Sequence, residues 1–214
     1  MAMLYSEIKT NFQSILNRRD ITASQITTFI GFAIQRIQRE LRIPPMEKLV
    51  AYTCDGTATI DIPGDLLEVI AIFFNDSVNQ LKLTRVDLTS AIRASQAPGV
   101  PQVYHRSGAS FLIGPYPSAG TKAYINYYSD ATTLNADTDH NWLTDVAPDL
   151  LIYGALCYAA DYFLDERKMA FEQRFGQIID DLQQQAHQDE LENASLLPAY
   201  NTSPIPYLNP SQVY

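Results

Sequence analysis

Three histidines, two cysteines and twenty-four acidic residues are the side chains with which this 214-residue chain could do chemistry, and their spacing argues against it. His105 falls at a predicted strand edge, His140 in a loop and His187 in a polar helix. No serine or cysteine stands in a Gly-x-Ser-x-Gly turn, where a base could activate it. Asp137-Thr138-Asp139-His140-Asn141 opens like a calcium loop with oxygen donors at alternate positions. Trp142 then occupies the place of the required glycine, and Pro148 that of the bidentate glutamate. Asp180 and Asp181 are consecutive on a predicted helix and point apart, unlike two carboxylates facing one sugar. Neither GxGxxG nor GxxxxGK[ST] occurs, so no loop is built to cradle phosphate. Cys54 and Cys157 lack a CxxC or Cys/His companion. The reduced state is the default for both, with Cys157 reading as a small core residue. Tyr124, Tyr127 and Tyr128 could stack on a sugar, although aromatic side chains on strands more often serve a core or a subunit contact. No catalytic, cofactor-binding or metal-binding residue is expected, and no enzyme.

The elements that would position any site follow from periodicity. Ile8, Phe12, Ile15 and Leu16 recur at helical spacing within Tyr5 to Leu16, and a second helix follows an N-cap at Thr22 or Ser24. Along it Ile26, Phe29, Ile30, Ala33, Ile34, Ile37 and Leu41 form one apolar stripe. Pro44-Pro45 stops that stripe, because proline has no N–H to donate and pushes its predecessor out of the helical region. From Lys48 to about Asn135 the period becomes two. Strands are expected at Lys48 to Thr53 and Thr57 to Ile62, joined through Asp55-Gly56 as a hairpin turn. More are expected at Glu68 to Asn75, Val78 to Thr84, Pro101 to His105, Ser110 to Gly114 and Lys122 to Tyr128, with Asp87 capping a short helix to Ala94.

Helix returns after Pro148, which suits a first turn because its missing N–H costs nothing there. Gly154, Ala155, Ala159 and Ala160 carry little bulk, so another helix can approach closely. Phe171, Phe175, Ile178, Ile179, Leu182 and Ala186 continue the stripe to about Leu191, with a turn or kink expected near Asp165.

Charge is unevenly spread. The net charge is −9. Residues 1–50 hold seven Lys or Arg against four Asp or Glu, whereas residues 141–214 hold three against eleven. A polyanion would be repelled from the acidic part, which excludes tight phosphate binding there; the plainer reading is a solvated acidic helix surface. No stretch approaches the ~18 apolar residues needed to span a bilayer, and no secretion signal is expected at the N-terminus. After Glu192 no side chain is charged, and Leu196, Leu197, Tyr200, Ile205, Tyr207, Leu208, Val213 and Tyr214 are spread among Pro198, Pro204, Pro206 and Pro210. Four prolines forbid a regular helix, yet a plain linker would hold fewer large apolar groups. The segment reads as an arm that docks on something; the alternative is a tail packed on its own domain or disordered.

One resemblance draws these features together. Ile-Pro-Pro-Met-Glu (43–47), Ile-Pro-Gly-Asp-Leu-Leu-Glu (62–68), Gly-Pro-Tyr-Pro (114–117), Ile-Asn-Tyr-Tyr (125–128), Asn-Trp-Leu (141–143) and Pro-Asp-Leu-Leu-Ile-Tyr-Gly-Ala-Leu (148–156) follow in this order. The series resembles the head-to-tail connector adaptors of short-tailed bacteriophages, also called gatekeeper or tail tubular proteins. It covers about residues 4–190, and its last segment, with Trp142, Pro148, Asp149, Tyr153 and Gly154 as family-motif structural residues, is the most specific.

The resemblance implies an α+β fold, with N- and C-terminal helices bundled together and a small antiparallel β domain inserted between them. The expected organisation is bundle helices at 1–46, β domain at 47–140, bundle helices at 141–193 and an extended arm at 194–214. It further implies a twelve-subunit homo-oligomeric ring in the virion at the head-to-tail interface, assembled in the host cytoplasm, without cofactor or membrane. The ring's partners would be the portal and tail nozzle proteins, with genomic DNA passing through without specific binding.

Two site expectations accompany it. Glu172, Asp180, Asp181, Asp189 and Glu190 would line the channel, since an acidic wall keeps passing duplex DNA mobile. Leu197, Tyr200, Ile205, Tyr207, Leu208 and Tyr214 would anchor the arm on the portal or a neighbouring subunit. A receptor- or carbohydrate-binding tail module, or a small hydrolase, are the other classes in view.

Overall fold

The structure, a computed structural model, describes residues 2–76 and 79–193. The chain begins with two helices, α1 (Tyr5–Leu16) and α2 (Ala23–Glu40). Thr22 caps α2: its hydroxyl accepts the Gln25 N–H while the Gln25 side chain accepts the Thr22 N–H, so two otherwise unpaired donors are satisfied together. The helix ends at Glu40, ahead of the prolines, and Pro44–Met46 form a short 3-10 turn. Three more helices close the described chain: α4 (Trp142–Val146), α5 (Pro148–Tyr162) and α6 (Lys168–Asn193), the first of which periodicity alone did not predict.

Helices from both ends share one hydrophobic core. Ile8, Phe12 and Leu16 of α1 and Ile26, Ile30, Ala33 and Ile37 of α2 pack with Leu150, Leu151, Ala155 and Leu156 of α5 and Phe175 of α6. The central element is α5, with nine buried residues on several of its faces, as expected of a helix surrounded by others. Between α5 and α6 the chain turns at Leu164, which adopts the left-handed conformation (φ 52°), and the Asp165 N–H donates to the Ala160 carbonyl. The Arg167 guanidinium then donates to the carbonyls of Ile15 and Leu16, satisfying acceptors that the end of α1 leaves open.

Among the described residues between the N- and C-terminal helices are eight strands: β1 (Glu47–Thr53), β2 (Thr59–Asp61), β3 (Leu66–Asp76), β4 (Asn79–Lys82), β5 (Thr84–Arg85), β6 (Val103–Ser107), β7 (Ser110–Gly114) and β8 (Lys122–Ser129). They make two four-stranded sheets, ordered β1-β8-β3-β4 and β2-β7-β6-β5. Ile60, Ile72, Phe74, Phe111, Ile113, Ala123, Ile125 and Tyr127 fill a second core shared by both sheets. The helix α3 (Leu88–Ala94), capped by Asp87, packs on β6 and β7. Its approach needs Gly114, where a Cβ would stand 2.6 Å from Ala94 Cβ.

Two expectations about this region are corrected. Asp55-Gly56 does not close a hairpin, since β1 pairs with β8 while β2 pairs with β7 in the other sheet. Asp55 Oδ1 accepts the Thr57 N–H, turning the chain out of one sheet and into the other. The physical reason is the shared core: Cys54 and Ile60 must enter it from opposite walls. The strands are also not all antiparallel, because β5 runs parallel to β6. With α3 lying between them in sequence, that pair has the crossover that parallel neighbours require.

Candidate interaction surfaces

The motif residues turn out to build the bundle. Asn141 is buried and caps α4, its Oδ1 accepting the Leu143 and Thr144 N–H groups while its Nδ2 donates to the Thr132 carbonyl. Trp142 packs half-buried on the helical core. Its Nε1 is buried without a hydrogen-bond partner among the described residues. Pro148 opens α5, and Asp149 lies in the first turn, where a negative charge meets the positive end of the helix dipole. Tyr153 meets the Phe171 ring at 6.3 Å between centroids. Gly154 lets α2 and α6 close on α5, since a Cβ there would lie 3.0 Å from Phe175 Cε2 and 3.1 Å from Ala33 Cβ.

The five acidic residues expected to act together divide. Asp180, Asp181 and Asp189 are exposed on α6, and the side chain of Glu190 lies outside the described residues. Glu172 differs in kind: it is half-buried and accepts two bonds from Arg36, at 3.0 and 2.9 Å. Arg36 also lies 4.3 Å from the Phe175 ring centroid and bonds Glu40. The Glu172 hydrogen bonds push the Arg36 pKa further up, so this pair is fixed as an ion pair inside the protomer. The six arm residues Leu197, Tyr200, Ile205, Tyr207, Leu208 and Tyr214 lie outside the described residues.

The groups that could do chemistry stay apart. His105 Nδ1 lies 2.9 Å from the Val86 carbonyl, His140 pairs with Asp145 at 3.3 Å, and His187 is exposed on α6. Burial pushes the Cys54 thiol up to about 11 and that of Cys157 up to about 12, which keeps both protonated near neutrality. Among the described residues no cluster of three or more His, Cys, Asp or Glu side chains is placed to hold a metal ion. No described helix is long and apolar enough to cross a membrane.

Polar contacts gather where the two cores meet. Arg42 pairs with Glu68, and Lys48 with Asp65. The Tyr127 hydroxyl donates to Asp65, and the Ser129 hydroxyl to the Met46 carbonyl. Burial works to raise the Asp65 pKa, but the bonds from Lys48 and Tyr127 outweigh it and hold the carboxyl below its ordinary value. Leu67, at an irregularity in the β3·β8 pairing, turns toward the helical core, as does Tyr128.

Two apolar surfaces are exposed, and of their residues only Tyr124 was expected as a contact. On the face of β1-β8-β3-β4 turned away from the sandwich core, Glu47, Lys48, Leu49, Phe73, Tyr124 and Asn126 line an open cavity of about 620 Å³. Leu49 is 63% exposed in it. At the α5–α6 turn, Tyr162, Leu164 and Met169 are exposed, Leu164 to 90%. A signal for the first was present: Leu49 with Val50, Phe73 with Phe74 and Tyr124 with Ile125 place apolar groups on both faces of their strands, where a half-solvated sheet would alternate.

No curated protein matches this chain. A family model described as SU10 adaptor protein matches residues 3–198, a span that takes in every described helix and strand. The chain therefore belongs to the SU10 adaptor protein family, the structural adaptors of phage virions.

Proposed function

We propose that the protein forms a closed ring, of twelve subunits by the resemblance, that joins the portal to the tail nozzle and lines the channel through which the genome is retained and ejected. The reading rests on family membership together with one observation, the acid carried on the exposed surface of α6. Asp180, Asp181 and Asp189 stand there, with Arg174 exposed on the same helix. An acidic wall repels duplex DNA and releases no counterions to it, so the DNA slides without being held. Glu172, already neutralised by Arg36, contributes least to that wall.

A ring of identical subunits needs two different surfaces on each copy. The Leu49–Phe73–Tyr124 face and the Tyr162–Leu164–Met169 tip are chemically distinct apolar surfaces of that sort. The arm, residues 194–214, supplies the portal contact, with Leu197, Tyr200, Ile205, Tyr207, Leu208 and Tyr214 as anchors repeated around the ring. In the organisation this implies, residues 1–46 and 141–193 form the bundle, 47–140 the inserted β domain and 194–214 the docking arm.

The test is the mass of the full chain alone and after mixing with portal protein. A monomer that becomes a ring on the portal is the expected result. A chain that stays monomeric with portal, or a ring whose α6 carboxylates stand on the outer circumference, would overturn the respective part.

A further inference from the structure

The open face of β1-β8-β3-β4 has the chemistry of a polyproline receptor, and the chain carries its own ligand close by. The cavity there presents two aromatic rings, Phe73 and Tyr124, one exposed aliphatic group, Leu49, and one amide, Asn126. Extended proline-rich segments bind aromatic-lined grooves of this sort: their rings pack on the aromatic faces, and side-chain donors take the carbonyls that polyproline leaves free. The rim holds one acid and one base, Glu47 and Lys48, so the groove carries no net charge. Residues 194–214 match it, with Pro198, Pro204, Pro206 and Pro210 among large apolar groups and no charged side chain.

Position favours the same pairing. A smaller cavity of about 220 Å³ is lined by Ile43, Pro44 and Pro45 on one side and by Leu182, Gln185, Ala186 and Asp189 of α6 on the other. The last turns of α6 therefore run beside the prolines that lead into β1, and Met46 alone separates them in sequence from Glu47, Lys48 and Leu49 of the sheet groove. Asn193 lies four residues beyond Asp189, about 6 Å further along the helix. From there the eleven residues to Pro204 span about 34 Å in a polyproline conformation, enough to reach back to β1. A tether this short gives a local concentration in the millimolar range, so even a weak groove is occupied.

We propose that in the free chain the Pro204-Ile205-Pro206-Tyr207 segment lies in the groove formed by Leu49, Phe73, Tyr124 and Asn126 of the same molecule. The arm then covers one of the two surfaces a ring requires, and portal protein, by taking up the arm, uncovers it. The inference rests on the proposed function only for this consequence; the occupancy of the groove stands or falls on the free chain.

The experiment uses the full chain with Leu49→Cys and Ile205→Cys, and a control pair of Leu164→Cys and Ile205→Cys. Leu164 lies beyond the far end of α6, a helix of 26 residues, about 39 Å long. The native thiols are buried and protonated and serve as silent background. Under mild oxidation the Leu49 pair is expected to close an intramolecular disulfide at least roughly tenfold faster than the control, at a rate that does not change on hundredfold dilution. Adding Tyr124→Ser is expected to slow that closure several-fold. Three results overturn the proposal: equal rates for the two pairs, no closure, or only intermolecular disulfides whose rate rises with concentration. The last would assign the groove to a neighbour's arm. None of these bears on whether the chain assembles on the portal, which the mass measurement reads separately.

Discussion

The α-carbon of Gly154 faces the Phe175 ring so closely that a Cβ built on it would stand 3.0 Å from Cε2, with Ala33 Cβ at 3.1 Å on the other side. Three helices meet at that point, α2 from the start of the chain and α5 and α6 from more than a hundred residues later. Gly154→Leu is expected to destabilise the protein by about 3 kcal/mol or more, because a well-packed core yields poorly to added methylenes. Urea denaturation checks it: the midpoint falls at unchanged slope. A variant as stable as the natural chain would mean the helices are not packed there.

Arg36 and Glu172 form an ion pair that ties α2 to α6. Replacing Glu172 with Gln is expected to cost about 1 kcal/mol, a two-bond ion pair discounted for its partial exposure. A double-mutant cycle with Arg36→Met isolates the coupling. Additive single effects would show that the pair contributes nothing.

The turn between α5 and α6 has a defined pH response. The Arg167 side chain, and after it the Arg167 backbone N–H, hold the Asp165 carboxyl at about 2. Its folded value lies below the ordinary ~3.9 of an aspartate, so the stabilisation is complete above that value and is lost as pH falls toward 2. Asp165→Asn should therefore melt lower than the natural chain at pH 6, with the difference shrinking between about pH 4 and pH 2. A difference that stays constant across that range would exclude the ion pair as its cause.

Leu164 adopts a left-handed backbone with its side chain 90% exposed. A leucine there costs what glycine would not, and its side chain gains little burial among the described residues in return. Leu164→Gly is expected to raise stability by about 1 kcal/mol. Thermal unfolding of the free chain reads this directly, and an unchanged or lowered midpoint contradicts it.

For the arm, a truncation ending at Asn193 is expected to keep the fold, since both described cores lie before it. Its affinity for portal protein should fall at least roughly tenfold. Binding at full strength would place the portal contact elsewhere.

The order of helices, strands and helices was readable from residue spacing because apolar periodicity reports which face of an element is buried. A cap at Thr22 or Ser24, another at Asp87, Pro148 in a first turn and the break near Asp165 follow from backbone hydrogen-bonding rules that act over four residues, and the structure chose Thr22. Asn141 was readable as a motif residue but not as the cap of α4, a helix of five residues that is too short to show a period. The acidic character of α6 was legible as well. That Glu172 belongs to a bond with Arg36 was not, because the partner lies 136 residues away and only packing brings them together.

What the amino-acid sequence determined by itself is therefore local: where helices start and stop, and which residues are apolar at which period. Only the tertiary structure decided that β1 and β2 enter different sheets, that β5 runs parallel to β6, and that Leu49, Phe73 and Tyr124 share one open face. Strand partners are chosen by the burial of whole faces across long loops, and that free energy belongs to the assembled core rather than to any short stretch of chain.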